Sequence, residues 1–417
     1  MAVGSMSDTK STVTLHSKSY ALPERPTVVV CVDGFDPEYL EKGIADELMP
    51  NCKKFLETGF HVTANAAMPT FTNPNNTSII TGVPTAVHGI SGNFYLDRET
   101  GKEIMVTDAS LLRGSTILAE MSKRGIHVAA ITAKDKLRRL LDCGLENAIC
   151  FSSEYAANCT LAENGIENVE SWIGRPAPSQ YSADLSLYVI DAGVKLLEER
   201  RADLLYLTLS DYVQHKYAPR TPEANEFLAA LDMRLGKLAD MGAVVAVTGD
   251  HGMSDKSNDD GSPNALFLQD ELESRFGADC ARVMCPITDP FVKHHGALGS
   301  FVRVHVRQSC DIPAMMNLCK TFPQVELVLT GTEAAAKFEM PLDREGDFAV
   351  VSTGNATIGA KQTEHDLTQL GAHRLRSHGG LSEQPVPLIL SKPVRDAGVA
   401  LKKDWRNFDI FDLALNW

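Results

Sequence analysis

No two cysteines of this chain stand at C-x-x-C spacing, although the sequence holds nine, an odd number. That scatter excludes a disulfide framework and a cysteine-ligated zinc site, and reads as reduced, mostly buried small hydrophobes. No apolar run is long enough to span a bilayer, and the first residues lack the basic, apolar, small-residue succession of a secretory signal. A cytoplasmic location is therefore the expectation. Met6 follows a small-residue stretch, so residues 1–5 are read as a cloning scar. A basic excess is missing as well: the formal net charge is -14, which disfavours nucleic acid and anionic membranes as partners, since both need a basic face. A small anionic substrate remains compatible with that charge, because a metal-bearing pocket inverts the local sign.

What is present is an ordinary globular composition, 44% hydrophobic and 23% charged, over 417 residues, a length that predicts two or more domains. From residue 26 onward, short β-branched runs alternate with helical patterns, the signature of an α/β fold with a mostly parallel central sheet and helices on both faces. Strands are expected over 27–32, 127–132, 204–209, 244–248 and 386–390. Ser115 and Thr221 are the expected N-caps of two intervening helices, with Pro222 in the first turn of the second. Between about 256 and 369 the texture changes. It opens on the polar "SDKSNDDGSPN", and "SFVRVHV", "DIPAMMNLCKTF" and "QVELVLTG" read as strand, helix, strand. The expected organisation is a metal-binding catalytic core of 24–255 and 370–417 carrying a smaller inserted α+β cap, 256–369.

In open α/β sheets ligands bind beyond the carboxyl ends of the strands. Polar residues gather there: Asp33 after the first run, Asp211 and His215 after "LLYLTLS", Asp250 and His251 after "AVVAVTG". His378 in "RSHGGL" precedes the last strand, and His365 and His373 compete for its role. A single Asp after a strand is more often a turn or capping residue, and a lone His more often a surface or core residue. Coincidence at several strand ends favours ligation. Mixed carboxylates and imidazoles suit a borderline divalent ion, zinc above all, though manganese and iron are also tolerated, and the ligands are too many for one ion with an open position. Two metals fit better. If Asp211 opens a helical turn, the i, i+4 spacing puts it on one face with His215. The adjacent His294 and His295 in "VKHHGALG" are read as exposed loop residues rather than as a third metal site.

A two-metal site clamps a phosphoryl group in transfer, and it needs a nucleophile. The stretch "MPTFTNPNNTSIITGVPTAVHGI", 68–90, offers hydroxyls ahead of an apolar helix whose N-terminus favours an anionic phosphoryl group. Composition does not choose among Thr70, Thr72 and Thr77.

That stretch resembles the nucleophile segment of the alkaline phosphatase superfamily, particularly its nucleotide pyrophosphatase/phosphodiesterase branch, which runs Pro-Thr-x-Thr-x-Pro-Asn and then Thr-Gly and His-Gly. "CVDGFD", "DYVQH", "TGDHGMSD" and "SHGG" are similar to the metal motifs of that superfamily in the same order. The resemblance implies that Thr72 is the nucleophile, that Asn93 in "SGNFY" is the oxyanion-side amide, and that His88 and Gly89 belong to the scaffold. It implies two Zn²⁺ per subunit, one held by Asp211, His215 and His378, the other by Asp33, Asp250, His251 and the Thr72 oxygen. Two such ions against three carboxylates and one alkoxide sum to zero, so the pocket admits an anion.

Within the superfamily, "FTNPNN" and "ITAKDKLRRLL" resemble the phosphonoacetate hydrolases. This implies cleavage of the carbon-phosphorus bond of phosphonoacetate to acetate and phosphate through a phospho-threonine, with Lys134, Lys136 and Asn93 binding the substrate. Read without the resemblance, the lysines are equally a solvated basic patch with Arg138 and Arg139. The alternative function is a phosphodiesterase or nucleotide pyrophosphatase on the same metals, which an aromatic platform for a nucleobase would favour; the sequence offers no clear one. A mutase-like enzyme would place Ser at the nucleophile, and a non-catalytic binding module would not need Thr72 and Asn93. A homodimer is the expected assembly.

Overall fold

Five of the seven strands in the main sheet are β-branched or leucine-rich pentamers to hexamers at the expected positions. The computed structural model describes residues 12–289, 295–307 and 310–417; residues 1–5 and His294, both singled out above, lie outside the described residues. Across the sheet the strands run Phe60–Asn65, Pro385–Leu390, Val244–Thr248, Thr27–Cys31, Leu204–Thr208, Val128–Thr132 and Ile149–Ser152. The five from Val244–Thr248 to Ile149–Ser152 are mutually parallel, whereas Pro385–Leu390 runs antiparallel to Val244–Thr248 and pairs antiparallel with Phe60–Asn65. The class is α/β with a mostly parallel sheet.

Alternation along the strands feeds two separate cores, as period-2 geometry requires. Val28, Val30, Leu205, Leu207, Val245 and Val247 pack on one face with the helices Asp184–Glu198 and Pro222–Asp240. Val29, Cys31, Leu204, Tyr206, Val244 and Ala246 pack on the other with Ile79, Ile117 and Phe411. Thr221 caps its helix by accepting from the Ala224 amide, with Pro222 in the first turn. The other expected cap is one residue off: Thr116, not Ser115, accepts from the Ala119 amide, and Ser115 Oγ donates to Glu120 instead.

The strand, helix and strand expected inside 256–369 are Phe301–Val306, Ile312–Cys319 and Val325–Thr330. They belong to a four-stranded antiparallel sheet ordered Ala281–Met284, Phe301–Val306, Phe348–Ser352, Val325–Thr330. This sheet has its own core around Val283, Phe301, Phe348, Met315 and Phe338. Among the described residues no helix is long and apolar enough to cross a membrane.

Candidate active site

Asp33, Asp211 and Asp250 each follow a parallel strand and lie at the same carboxyl edge of the sheet. His378 reaches that edge from the opposite chain direction, because the Pro385–Leu390 strand after it is antiparallel and therefore starts where the others end. Gly379 follows with φ +124°, and an added Cβ there would sit 2.5 Å from the Phe71 ring. A side chain at 379 would thus push apart the loops carrying His378 and Thr72. Asp211 stands just ahead of the helix Tyr212–Lys216 without a side-chain capping bond, and the i, i+4 spacing brings His215 Nε2 to 2.9 Å from Asp211 Oδ2.

Each of the three histidines is oriented by the same device. Nδ1 donates to a backbone carbonyl: His215 to Arg376 at 2.7 Å, His251 to Gly252 at 2.8 Å, His378 to Thr70 at 2.7 Å. The Nε2 atoms are left to face the carboxylates, the ring orientation found behind metal-ligating imidazoles. His251 Nε2 lies 3.2 Å from Asp33 Oδ1 and 3.7 Å from Asp250 Oδ2, and His378 Nε2 lies 3.8 Å from Asp211 Oδ2. Ligand atoms of Asp33, Asp250 and His251 all fall within 4.8 Å of one another, as do those of Asp211, His251 and His378. Asp33 Oδ1 is buried and accepts no aligned hydrogen bond. Buried carboxylates that converge without enough donors call for a cation, and this oxygen and nitrogen set fits divalent metal.

The electrostatics agree. Burial raises the Asp250 carboxyl well above the usual carboxylate range, and the Asp33 charge adds to it. Burial alone would lower His251, but the Asp250 and Asp33 carboxylates outweigh it and hold the ring at about 10. His378 is driven well below its ordinary value by burial and then by His251, whose ring stacks on it at 3.5 Å. The field at the sheet edge attracts positive charge, while the stacked pair accepts it on only one ring.

Thr72 is the first residue of the helix Thr72–Thr81, with Oγ1 3.3 Å from His251 Nε2. The rival hydroxyls are committed to the backbone: Thr70 Oγ1 donates to Gly380 O at 2.9 Å and Thr77 Oγ1 to Asn73 O at 2.7 Å. Asn75 fastens the chain ahead of Thr72, accepting from Ala67 N and donating to Ala67 O and Phe71 O. Asn93, Lys134 and Lys136 line the same cleft as Asp33, Thr72, Asp211 and His378. The Asn93 loop is held by Arg303, which donates to Ser91 O and Oγ at 3.1 Å and pairs with buried Glu345. Lys134 Nζ lies 3.2 Å from Asp211 Oδ1, and Lys136 Nζ 2.8 Å from Asp289 Oδ2. Only Arg139 of the four basic side chains stands out in solvent: the Lys136 side chain is 10% exposed, Lys134 is half-buried, and Arg138 is buried against Asp135 and Glu163.

His365 and His373 stand apart from the cluster, against Phe267 and Tyr217 respectively. His88 takes part in the scaffold through Ser78 Oγ at 2.8 Å. His295 is not an exposed loop residue. It is 4% exposed, lines the cleft, and its ring lies 5.0 Å from that of His215. Burial, followed by the His215 charge, lowers it to about 3. Its Nδ1 accepts from the Ala297 amide at 3.0 Å, so Nε2 carries the proton and donates.

Comparison with known proteins bears on this arrangement. The family model of type I phosphodiesterase / nucleotide pyrophosphatase matches residues 27–310, which is most of the chain. The chain belongs to this family of hydrolases. Among solved structures, the type I phosphodiesterase family chain is similar to phosphonoacetate hydrolase from Sinorhizobium meliloti 1021, in complexes with phosphonoacetate and with phosphonoformate. The likeness is 47% identity and a TM-score of 0.92, over 97% of this chain and 98% of that one. It is also 72% identical over 29 residues to phosphonoacetate hydrolase of Penicillium oxalicum, 7% of this chain and 40% of that protein. Over 252 residues, 58% of this chain and 44% of its relative, it is 22% identical to an uncharacterised pyrophosphatase/phosphodiesterase of Schizosaccharomyces pombe. The chain thus spans less than half the length of these two sequence relatives.

Sequence reasoning missed several residues that shape the site. Asn76 donates to Asp250 Oδ2 at 3.2 Å, and its own Oδ1 accepts from Tyr206 and Thr208 hydroxyls at 2.7 Å each. Asn407, far down the chain, donates to Gly249 O and Asp250 O. Tyr206 and Thr208, on one face of an otherwise all-leucine strand, were a signal for such a network; nothing local marked Asn407 or Asp289.

Proposed function

We propose that this chain hydrolyses the carbon-phosphorus bond of phosphonoacetate to acetate and phosphate through a phosphorylated Thr72, with two zinc ions in the Asp/His cluster. The observation that carries this reading is the pair Lys134 and Lys136, whose ammonium groups enter the same cleft as Thr72 and the cluster. The complexes of the 47% identical S. meliloti enzyme with phosphonoacetate and phosphonoformate support it. Asp211, His215 and His378 would hold one ion, and Asp33, Asp250, His251 and the Thr72 oxygen the other. The ions, when bound, supply Lewis acidity at the phosphoryl oxygens and at the threonine hydroxyl.

Thr72 Oγ passes its proton to solvent water, which later supplies the proton taken up by carbon, and attacks phosphorus in line, the helix N-terminus behind it favouring the phosphoryl charge. Carbon leaves with the bonding electron pair. That departure is prohibitive unless the pair spreads into the adjacent carboxylate, and Lys134 and Lys136 stabilise the resulting enediolate where its charge develops. Asn93, whose Nδ2 donates to Ile287 O at 3.4 Å in the free enzyme, would turn that amide to the phosphoryl oxygens. The carbon then takes a proton to give acetate, and water cleaves the phospho-threonine to release phosphate and restore Thr72. Residues 256–369 act as a cap on a core of 24–255 and 370–417; the cap lends Ile287, Asp289 and His295 to the cleft.

Lys136 provides the cleaner test, because Lys134 also contacts Asp211. Lys136→Met is expected to lower kcat/KM for phosphonoacetate by about 10²-fold, the size of one preorganised donor. Turnover of a p-nitrophenyl phosphodiester, whose leaving group carries no carboxylate, should change less than about tenfold. Acetate, phosphate and nitrophenol are measured with and without chelator. Equal losses on both substrates, or diester turnover with no acetate formed by the parent enzyme, would overturn the reading.

A further inference from the structure

Asp289 occupies a position that the reaction leaves without a role. It pairs with Lys136 at 2.8 Å, and the two side chains are only 13% and 10% exposed. Asp289, Lys134 and Lys136 together line both the inner cleft and an adjoining chamber of about 260 Å³. The ion pair therefore stands at the boundary between them. On the metal side, Lys134 is already matched to Asp211. Each ammonium of the proposed carboxylate subsite thus carries a resident carboxylate partner, and Asp289 is the one that does not also belong to the Asp/His cluster.

We propose that Asp289 is a specificity-determining residue: its carboxylate holds Lys136 in the free enzyme and yields that place only to a ligand bringing a carboxylate of its own. The inference rests on the phosphonoacetate reading above. A buried ammonium stripped of its partner is costly, so Lys136 releases Asp289 readily only in exchange for another anion. Two carboxylates on one buried ammonium repel each other, so the incoming group must displace the resident one rather than join it. A phosphonate of the right length makes the exchange, with its phosphoryl group at the cluster and its carboxylate at the lysines. Methylphosphonate and inorganic phosphate reach the cluster but bring nothing to replace Asp289, and gain nothing from the lysines. Discrimination thus comes from a built-in competitor as well as from attraction.

Asp289→Asn removes the competing charge and keeps the shape. The KM for phosphonoacetate is expected to fall about tenfold and inhibition by added acetate to strengthen by a similar factor, while inhibition by methylphosphonate stays within about twofold. Asp289→Glu, which restores the charge, should return all three constants toward those of the parent. A general structural defect would move methylphosphonate inhibition together with the others, and the Glu variant would not rescue it. Unchanged acetate inhibition in the Asn variant, a KM that rises, or parallel changes for acetate and methylphosphonate would each overturn the proposal. The parent enzyme is assayed first for acetate released from phosphonoacetate. Failure there removes the functional reading, whereas success there with unaltered discrimination in Asp289→Asn removes only the role of Asp289.

Discussion

Thr72→Ala is expected to lower phosphate release from phosphonoacetate by at least about 10³-fold, as loss of a catalytic nucleophile does, while metal content by elemental analysis stays near that of the parent. Thr70 and Thr77 spend their hydroxyls on backbone carbonyls, whereas Thr72 lines the cleft with its Oγ1 3.3 Å from His251 Nε2. Deleting that hydroxyl breaks no strong hydrogen bond, so thermal stability should move by less than about 1 kcal/mol. Thr72→Ser retains the attacking oxygen and should keep measurable turnover. In the parent, acid quench during turnover followed by mass spectrometry should place the phosphoryl group on Thr72. An alanine variant with more than a tenth of parental activity, or one that loses its metal along with its activity, would sink the assignment.

Substituting Asp250 should produce an equally large loss by a different route. Its Oδ1 accepts from the Gly34 and His251 amides at 3.1 and 3.0 Å, and its Oδ2 from Asn76 at 3.2 Å. Asp250→Ala strands these donors in a buried site, each at about 1–3 kcal/mol, and removes a carboxylate from the cluster. Activity is expected to fall below about 10⁻³ of the parent, the metal content by elemental analysis to fall, and the melting temperature to drop. Asp250→Asn separates the effects, since its Oδ1 still accepts from both amides. Asp33 and burial disfavour the Asp250 charge, so after chelation the Asn variant should melt at or above the parent. With metal restored, the order should reverse. An Asn variant that melts below the parent in both states would show that the carboxylate stabilises the fold without any cation.

The strand ends were legible because four buried pentamers carry a clear apolar pattern and a charged residue follows each within a few positions: Asp33, Lys134, Asp211 and Asp250. Two strands were not. Ile149–Ser152 is four residues long, and so short an apolar run does not distinguish strand from helix. Phe60–Asn65 is an edge strand with most of its residues only partly covered, so its pattern is weak. The Thr116 cap escaped because two adjacent hydroxyl residues look alike until helix phase is known. Within the site, motif order led to the Asp, His and Thr72 positions. His295 was misread as exposed because burial of a loop residue depends on which sheet it is laid against. Asp289 and Asn407 act through partners distant in sequence, and neither lies in a run that would announce them.

The reversed direction of the Pro385–Leu390 strand sets an order of events. Asp33 emerges early in synthesis, yet His378 comes into place only when a strand near the other end of the chain has been inserted between Val244–Thr248 and Phe60–Asn65. Such distant closure is slow relative to local helix formation, and domains form progressively as the chain leaves the ribosome. A nascent chain that has already built its parallel strands therefore still presents an acidic edge without the His378 imidazole, and the Asp/His cluster is completed only once Pro385–Leu390 has been inserted.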